Sequence, residues 1–118
     1  MQLFCADSID AESLLAGHET PRRRAEMQEK YFVYLTAELA PRIAALNAPE
    51  AKKPPLIWCA GVDTGAYQAV QCRLRRPGVF AGAVGLSGLY DMSRFLGGCE
   101  DDLVLRSSPL AALRKNGI

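Results

Sequence analysis

The chain has 118 residues, 49% of them hydrophobic and 23% charged, with a formal net charge of +1. That is the balance of one globular domain spanning residues 1–118, long enough to bury about two-thirds of its unfolded surface. A charge so near zero excludes the strong field that nucleic acid or an anionic membrane would need, and no apolar stretch approaches the ~20 residues of a membrane span.

Taken in chain order, Leu3-Phe4-Cys5-Ala6 is a short apolar run that predicts a buried strand, ended by Asp7-Ser8. Residues 9–20 lack periodicity and read as loop with at most a turn of helix. Thr20-Pro21 is a helix start, with threonine as N-cap and proline at the first helical position. Met27, Tyr31, Leu35 and Leu39 then recur every four residues, with Tyr34 and Ile43 beside them, which predicts an amphipathic helix to about residue 46. Pro41 removes one backbone hydrogen bond from it and predicts a kink. Asn47 to Pro55 reads as a connecting loop.

Leu56-Ile57-Trp58-Cys59-Ala60 is a second continuous apolar run, the pattern of a strand covered on both faces. After a turn at 61–65, Ala66, Tyr67, Val70 and Leu74 mark a helix that Pro77-Gly78 ends. Phe80 to Leu86 gives a third strand. A short helix is expected around Met92–Leu96, and Ser108-Pro109 opens a last one, with Gly117 beyond its end. Strand, helix, strand, helix, strand predicts parallel pairing in the βαβ manner. The three strands are expected near 2–6, 56–60 and 80–86, with the helix over 21–46 packed across them.

The arginines at 22–24 and at 73, 75 and 76 read as solvated helix faces rather than phosphate sites. The cysteines at 5, 59, 72 and 99 have neither metal-ligand nor paired redox spacing. Cys5 and Cys59 fall in strand candidates, where a thiol serves as a small hydrophobe. With no basic segment followed by an apolar one at the N-terminus, the expectation is a cytoplasmic protein with reduced thiols. No cofactor and no metal are expected.

The turn Gly61-Val62-Asp63-Thr64-Gly65 carries the chemistry of interest. A strand that enters a helix through Gly-x-X-x-Gly makes a sharp elbow, which strains the middle residue and exposes its side chain above the sheet edge. Gly61 and Gly65 spare the turn a collision. The helix start at Thr64 offers N–H groups that suit an oxyanion.

Together with that elbow, several stretches resemble the central part of the esterase group of the α/β-hydrolase superfamily. They are Leu3-Phe4-Cys5-Ala6-Asp7-Ser8, the helix with Tyr31, Tyr34 and Leu35, and Arg75-Arg76-Pro77. Ser87-Gly88-Leu89-Tyr90-Asp91 with Arg94-Phe95-Leu96-Gly97-Gly98 completes the set. The resemblance covers nearly the whole chain and implies a partial α/β-hydrolase fold, a three-layer α/β sandwich with a mainly parallel sheet. The family's elbow reads roughly Gly-Cys-Ser-Phe-Gly-Gly-Tyr-His. Asp63 stands at the serine, and Gln68 at the histidine. By the same resemblance, the oxyanion loop would precede residue 1, and the strands bearing the triad acid and histidine would follow residue 118.

Three readings of the elbow compete. A serine triad lacks its parts: Ser87 lies after the next strand, and the only histidine, His18, lies ahead of the long helix. An aspartate nucleophile, as in haloalkane dehalogenases and epoxide hydrolases of the same fold, puts Asp63 at the right place without the base that would hydrolyse its ester. The third reading is structural, with Asp63 capping the following helix through Gly65 or Ala66 and tolerating the strained corner. It makes the chain an inactive esterase-like domain, a binding module for a small ester-like ligand or a homodimer joined through sheet edges. Residues 2–6 would then either close directly on 56–60 or leave a gap for a strand of another molecule.

Overall fold

The structure is a computed structural model that describes residues 1–47, 53, 55–96 and 102–115. Most of the expected loop at 47–55, the pair Gly97-Gly98, Cys99 and Gly117 lie outside the described residues.

Helix α1 (Pro21–Val33) begins as its sequence dictates, with the Thr20 hydroxyl accepting the Arg23 N–H at 3.2 Å and proline in the first turn. It runs on through a π-helical stretch (Tyr34–Leu39) into α2 (Ala40–Asn47). The expected disturbance at Pro41 takes this form. A proline ring collides with the carbonyl four residues back, and widening the preceding turns relieves the collision. Ala40 N–H accordingly bonds to Leu35 O. The Thr36 hydroxyl also donates to Phe32 O at 2.9 Å, within the turn that leads into the π-helical stretch.

Strand β1 (Ile57–Val62) leads into α3 (Thr64–Arg75), and β2 (Phe80–Leu86) lies parallel to β1, so the βαβ expectation holds. Ile57 pairs with Phe80 and, after one irregular step, Trp58 with Gly82 through to Val62 with Leu86. The sheet has these two strands among the described residues. Residues 2–6 form no strand, which corrects the first strand expectation. Leu3 is 85% exposed, and Cys5, expected inside a strand, is exposed too. An apolar run becomes a strand only where an edge accepts its backbone, and these residues reach none.

Helix α3 packs on both strands. Phe32 and Ala40 meet Cys72 and Phe80 in one buried cluster, with Leu35, Ile57 and Cys59 against it. This is where the long helix joins the sheet. At its margin Arg75 grips the Glu29 carboxylate with both terminal nitrogens, at 2.5 and 3.1 Å, while its guanidinium lies 3.9 Å above the Phe32 ring. Arg24 likewise turns inward and donates to the carbonyls of Ser13 and Leu14. Neither arginine belongs to a purely solvated face.

The opposite face of the sheet departs from expectation. Burial along β1 alternates, so the strand is covered on one face only. Trp58 and Val62 are each 63% exposed, Val84 49% and Leu86 59%, and the register puts all four on the same side. A continuous apolar run does not report which neighbours a strand will have.

A second cluster holds Leu14, Ala25, Tyr67, Met92, Leu96 and Val104. It joins α1 and α3 to α4 (Met92–Phe95) and α5 (Asp102–Arg106), while α6 (Pro109–Lys115) packs on α3 and α5. Helix α5 was not legible as an element, because five residues carry too little periodicity. The Tyr67 hydroxyl donates to Ser107 O at 2.8 Å in this interior.

Burial, with the Glu29 charge, holds the Tyr67 phenol above its ordinary value of 10.0 against the opposing pull of Arg75. Tyr31 is raised as well, chiefly by burial and then by Asp10. A phenol whose folded pKa is raised stabilises the fold fully below the unfolded value. That contribution is lost as pH climbs from there through the folded value. Chemical denaturation at stepped pH should therefore show stability falling above about pH 10, by up to ~1.4 kcal/mol per pH unit for each such phenol. Tyr67→Phe should cost about 1–2 kcal/mol at pH 8 by orphaning the Ser107 carbonyl, and should make the alkaline fall shallower.

Candidate functional site

The elbow forms where β1 stops. Asp63 N–H still donates to Leu86 O at 3.0 Å, as the next rung of the ladder. Its own backbone then swings to φ 57° and ψ −118°, a conformation that non-glycine residues seldom adopt. This bend lets the Asp63 carbonyl accept from Ala66 N–H at 3.1 Å and Tyr67 N–H at 3.3 Å, and α3 begins. Gly61 is what allows it. A Cβ there would lie 2.2 Å from the carbonyl carbon and oxygen of Gly65. Gly65 itself has open space where its Cβ would be, so only the first of the two glycines is demanded by contact.

The Asp63 carboxylate does not cap α3. That corrects the capping expectation, and the dihedrals give the reason: the backbone carbonyl, not the side chain, takes the first-turn donors. The side chain stands exposed at the C-terminal end of the parallel strands, the usual place for ligands in such sheets. The amides of Thr64 and Gly65 occupy the first-turn positions that have no acceptor within a helix.

Ser87 follows β2 and also has positive φ, at 56°. The hydroxyl of Tyr90 sits close over Gly85 and Gly88, 2.7 Å and 2.5 Å from where a Cβ would be. His18 is drawn to a different neighbour, with Nε2 3.7 Å from a Glu19 carboxylate oxygen, and its side chain is 79% exposed.

One residue at the elbow escaped sequence reasoning. Asp10 accepts from the Thr64 hydroxyl at 2.6 Å and from Gln68 Nε2 at 3.2 Å. It lies in a 3₁₀ turn (Asp10–Glu12) within the aperiodic stretch 9–20, which offered no signal. The position that resembles the family's histidine, Gln68, is thus spent on orienting a carboxylate. Asp10→Ala should release both donors and loosen the N-terminal segment from the elbow, at a cost of about 1–3 kcal/mol. Urea melts of the variant, read beside amide exchange at residues 8–16, would check it.

Beside the elbow runs a groove of about 350 Å³. Leu3–Ala6 form one wall, Ile57–Ala60 another, and Tyr31, Leu35 and Ile43 a third, with Gln68 and Cys72 from α3 also lining it. Residues 2–6 therefore neither pair with β1 nor rearrange the sheet; they face it across open space. Between β1 and α3 the thiols of Cys59 and Cys72 are hydrogen-bonded to each other. The bond from Cys72 lowers the pKa of Cys59, against the effect of burial. The same bond and burial raise that of Cys72. No cluster of metal-ligating side chains is found among the described residues.

Comparison of the chain with protein-family models, with curated proteins and with solved structures finds no match. Elbow geometry and residue chemistry therefore carry the functional reading.

Proposed function

We propose that this chain is an esterase-like domain of the α/β-hydrolase type that does not turn over esters and acts as a binding and self-associating module. The observation that carries this reading is the backbone of Asp63, at φ 57° and ψ −118° between a parallel strand and a helix start. A nucleophile elbow needs that strained corner, but the residue on it cannot do serine chemistry. Gln68 serves Asp10 rather than a nucleophile, and His18 lies against Glu19. The groove next to the elbow offers an apolar site of the right size for a small ester-like ligand. A three-layer arrangement follows if the exposed face with Trp58 and Val84 is covered by a second copy.

The purified chain is expected to hydrolyse short p-nitrophenyl esters no faster than a non-enzymatic control protein. A general acid–base pair alone is typically worth about 10²–10⁴ in rate. Steady turnover that disappears in Asp63→Asn would overturn the reading and establish the aspartate as a nucleophile.

That second reading has an observation in its favour: the Asp63 carboxylate is exposed and not engaged as a cap. It is open to attack an alkylating carbon. Without a base to activate water, the ester formed would persist. Incubation with an alkyl halide or epoxide, followed by intact-mass measurement, would reveal one stable adduct at Asp63.

A further inference from the structure

We propose that Cys59 and Cys72 form a peroxide-responsive thiol pair, a modification site that links β1 to α3 by a disulfide when a small hydroperoxide enters the groove. Cys59 projects from the covered face of β1 and Cys72 from α3, and those two elements pack against each other. Both belong to the cluster built on Phe32 and Phe80, which fixes their positions. Both also line the groove, so the pair is packed from one side and reachable from the other. Cysteines already held in one packed cluster need less movement to reach bonding distance than cysteines on elements that do not meet.

The groups divide the work. The Cys72 thiol donates its hydrogen to Cys59 sulfur, so the thiolate forms first on Cys59, and the thiolate is the nucleophile. It attacks the terminal oxygen of the hydroperoxide. A sulfur–oxygen bond forms, the oxygen–oxygen bond breaks, and the departing alkoxide takes a proton to become an alcohol. Cys59 is now a sulfenic acid, oxidised by two electrons. Cys72, losing its proton, attacks the Cys59 sulfur; the sulfur–sulfur bond forms and hydroxide leaves as water. Two thiols and one hydroperoxide become one disulfide, one alcohol and one water. Cys72 lies deeper than Cys59 and acts as the resolving thiol.

Peptide mapping of the wild-type chain tests this without any variant. The reduced protein is treated with hydrogen peroxide, its remaining thiols are blocked, and it is cut with chymotrypsin after Trp58, Tyr67 and Leu74. The expected product is peptide 59–67 joined to peptide 68–74, a loss of about 2 Da relative to the two thiol peptides. Dithiothreitol should reverse it. In Cys72→Ser, Cys59 should instead stop at the sulfenic acid and be captured by dimedone. Linkage of Cys59 to Cys5, which lines the same groove, would overturn the assignment of the pair. So would oxidation of exposed Cys5 while both Cys59 and Cys72 remain alkylatable.

Discussion

Gly61→Ala should leave little or no folded protein, whereas Gly65→Ala should fold at least as well as the wild type. A methyl group at 61 would sit 2.2 Å from the Gly65 carbonyl and 2.8 Å from Ala66 N, all of it backbone at a helix start. Nothing there is the far end of a flexible side chain, so either β1 or α3 must move. Those two elements, with β2, are the centre of the fold. A cost above ~4 kcal/mol belongs to the largest class of single substitutions, and a domain of this size has only about 5–15 kcal/mol in total. Position 65 is the opposite case. Its Cβ would meet nothing within 4 Å, and alanine in a helix is favoured over glycine by roughly 0.5–1 kcal/mol. Thermal melts of the two purified variants would check the contrast. Equal loss in both would mean that the elbow is not held as described.

The elbow could be read from sequence because its requirement is local. A strand that turns directly into a helix forces one residue into a strained conformation, and glycine before it is the remedy at close quarters. Asp63 at positive φ and the need for Gly61 both follow from five residues. The capping role given to Asp63 failed because side-chain direction depends on ψ, which no residue pattern encodes. The helix from Pro21 was legible through its cap, but its stripe only in part: Tyr31 is buried, Met27, Leu35 and Leu39 are half-buried, Tyr34 is exposed, and the buried Phe32 lies outside the stripe. The strand at 2–6 was not, since hydrophobicity says that residues leave water but not which edge receives them. Asp10 was invisible for the same reason: its partners, Thr64 and Gln68, are more than fifty residues away in sequence.

The open sheet leads to the other large effect, the proposed self-association. A folded monomer of 12.8 kDa is expected to expose about 6,300 Å², whereas this chain exposes 7734 Å². That surplus of roughly 1,400 Å² is spread over the whole chain, the exposed residues 1–8 included, and the open sheet face is one part of it. Trp58, Val62, Val84 and Leu86 form the apolar centre of that face, with no charged side chain on either strand. Protected edges normally carry lysine, proline or an inward charge, and β1 carries none of these along Ile57–Val62. Its edge away from β2 has no strand beside it among the described residues. A net charge of +1 gives two copies almost nothing to repel. The chain is therefore expected to sediment as a dimer at tens of micromolar, while Val84→Lys sediments as a monomer. Val84 is 49% exposed in the single chain, so the lysine ammonium can reach water there, and the variant should keep its fold. In a dimer the same ammonium would be buried without a partner, at several kcal/mol, which weakens association by well over a hundredfold. Circular dichroism would establish that the variant is folded, and sedimentation velocity over a concentration series would give the dissociation constants. A wild-type chain that stays monomeric at 100-fold its working concentration, or a Val84→Lys variant that associates as tightly as the wild type, would remove the open face as the site of assembly.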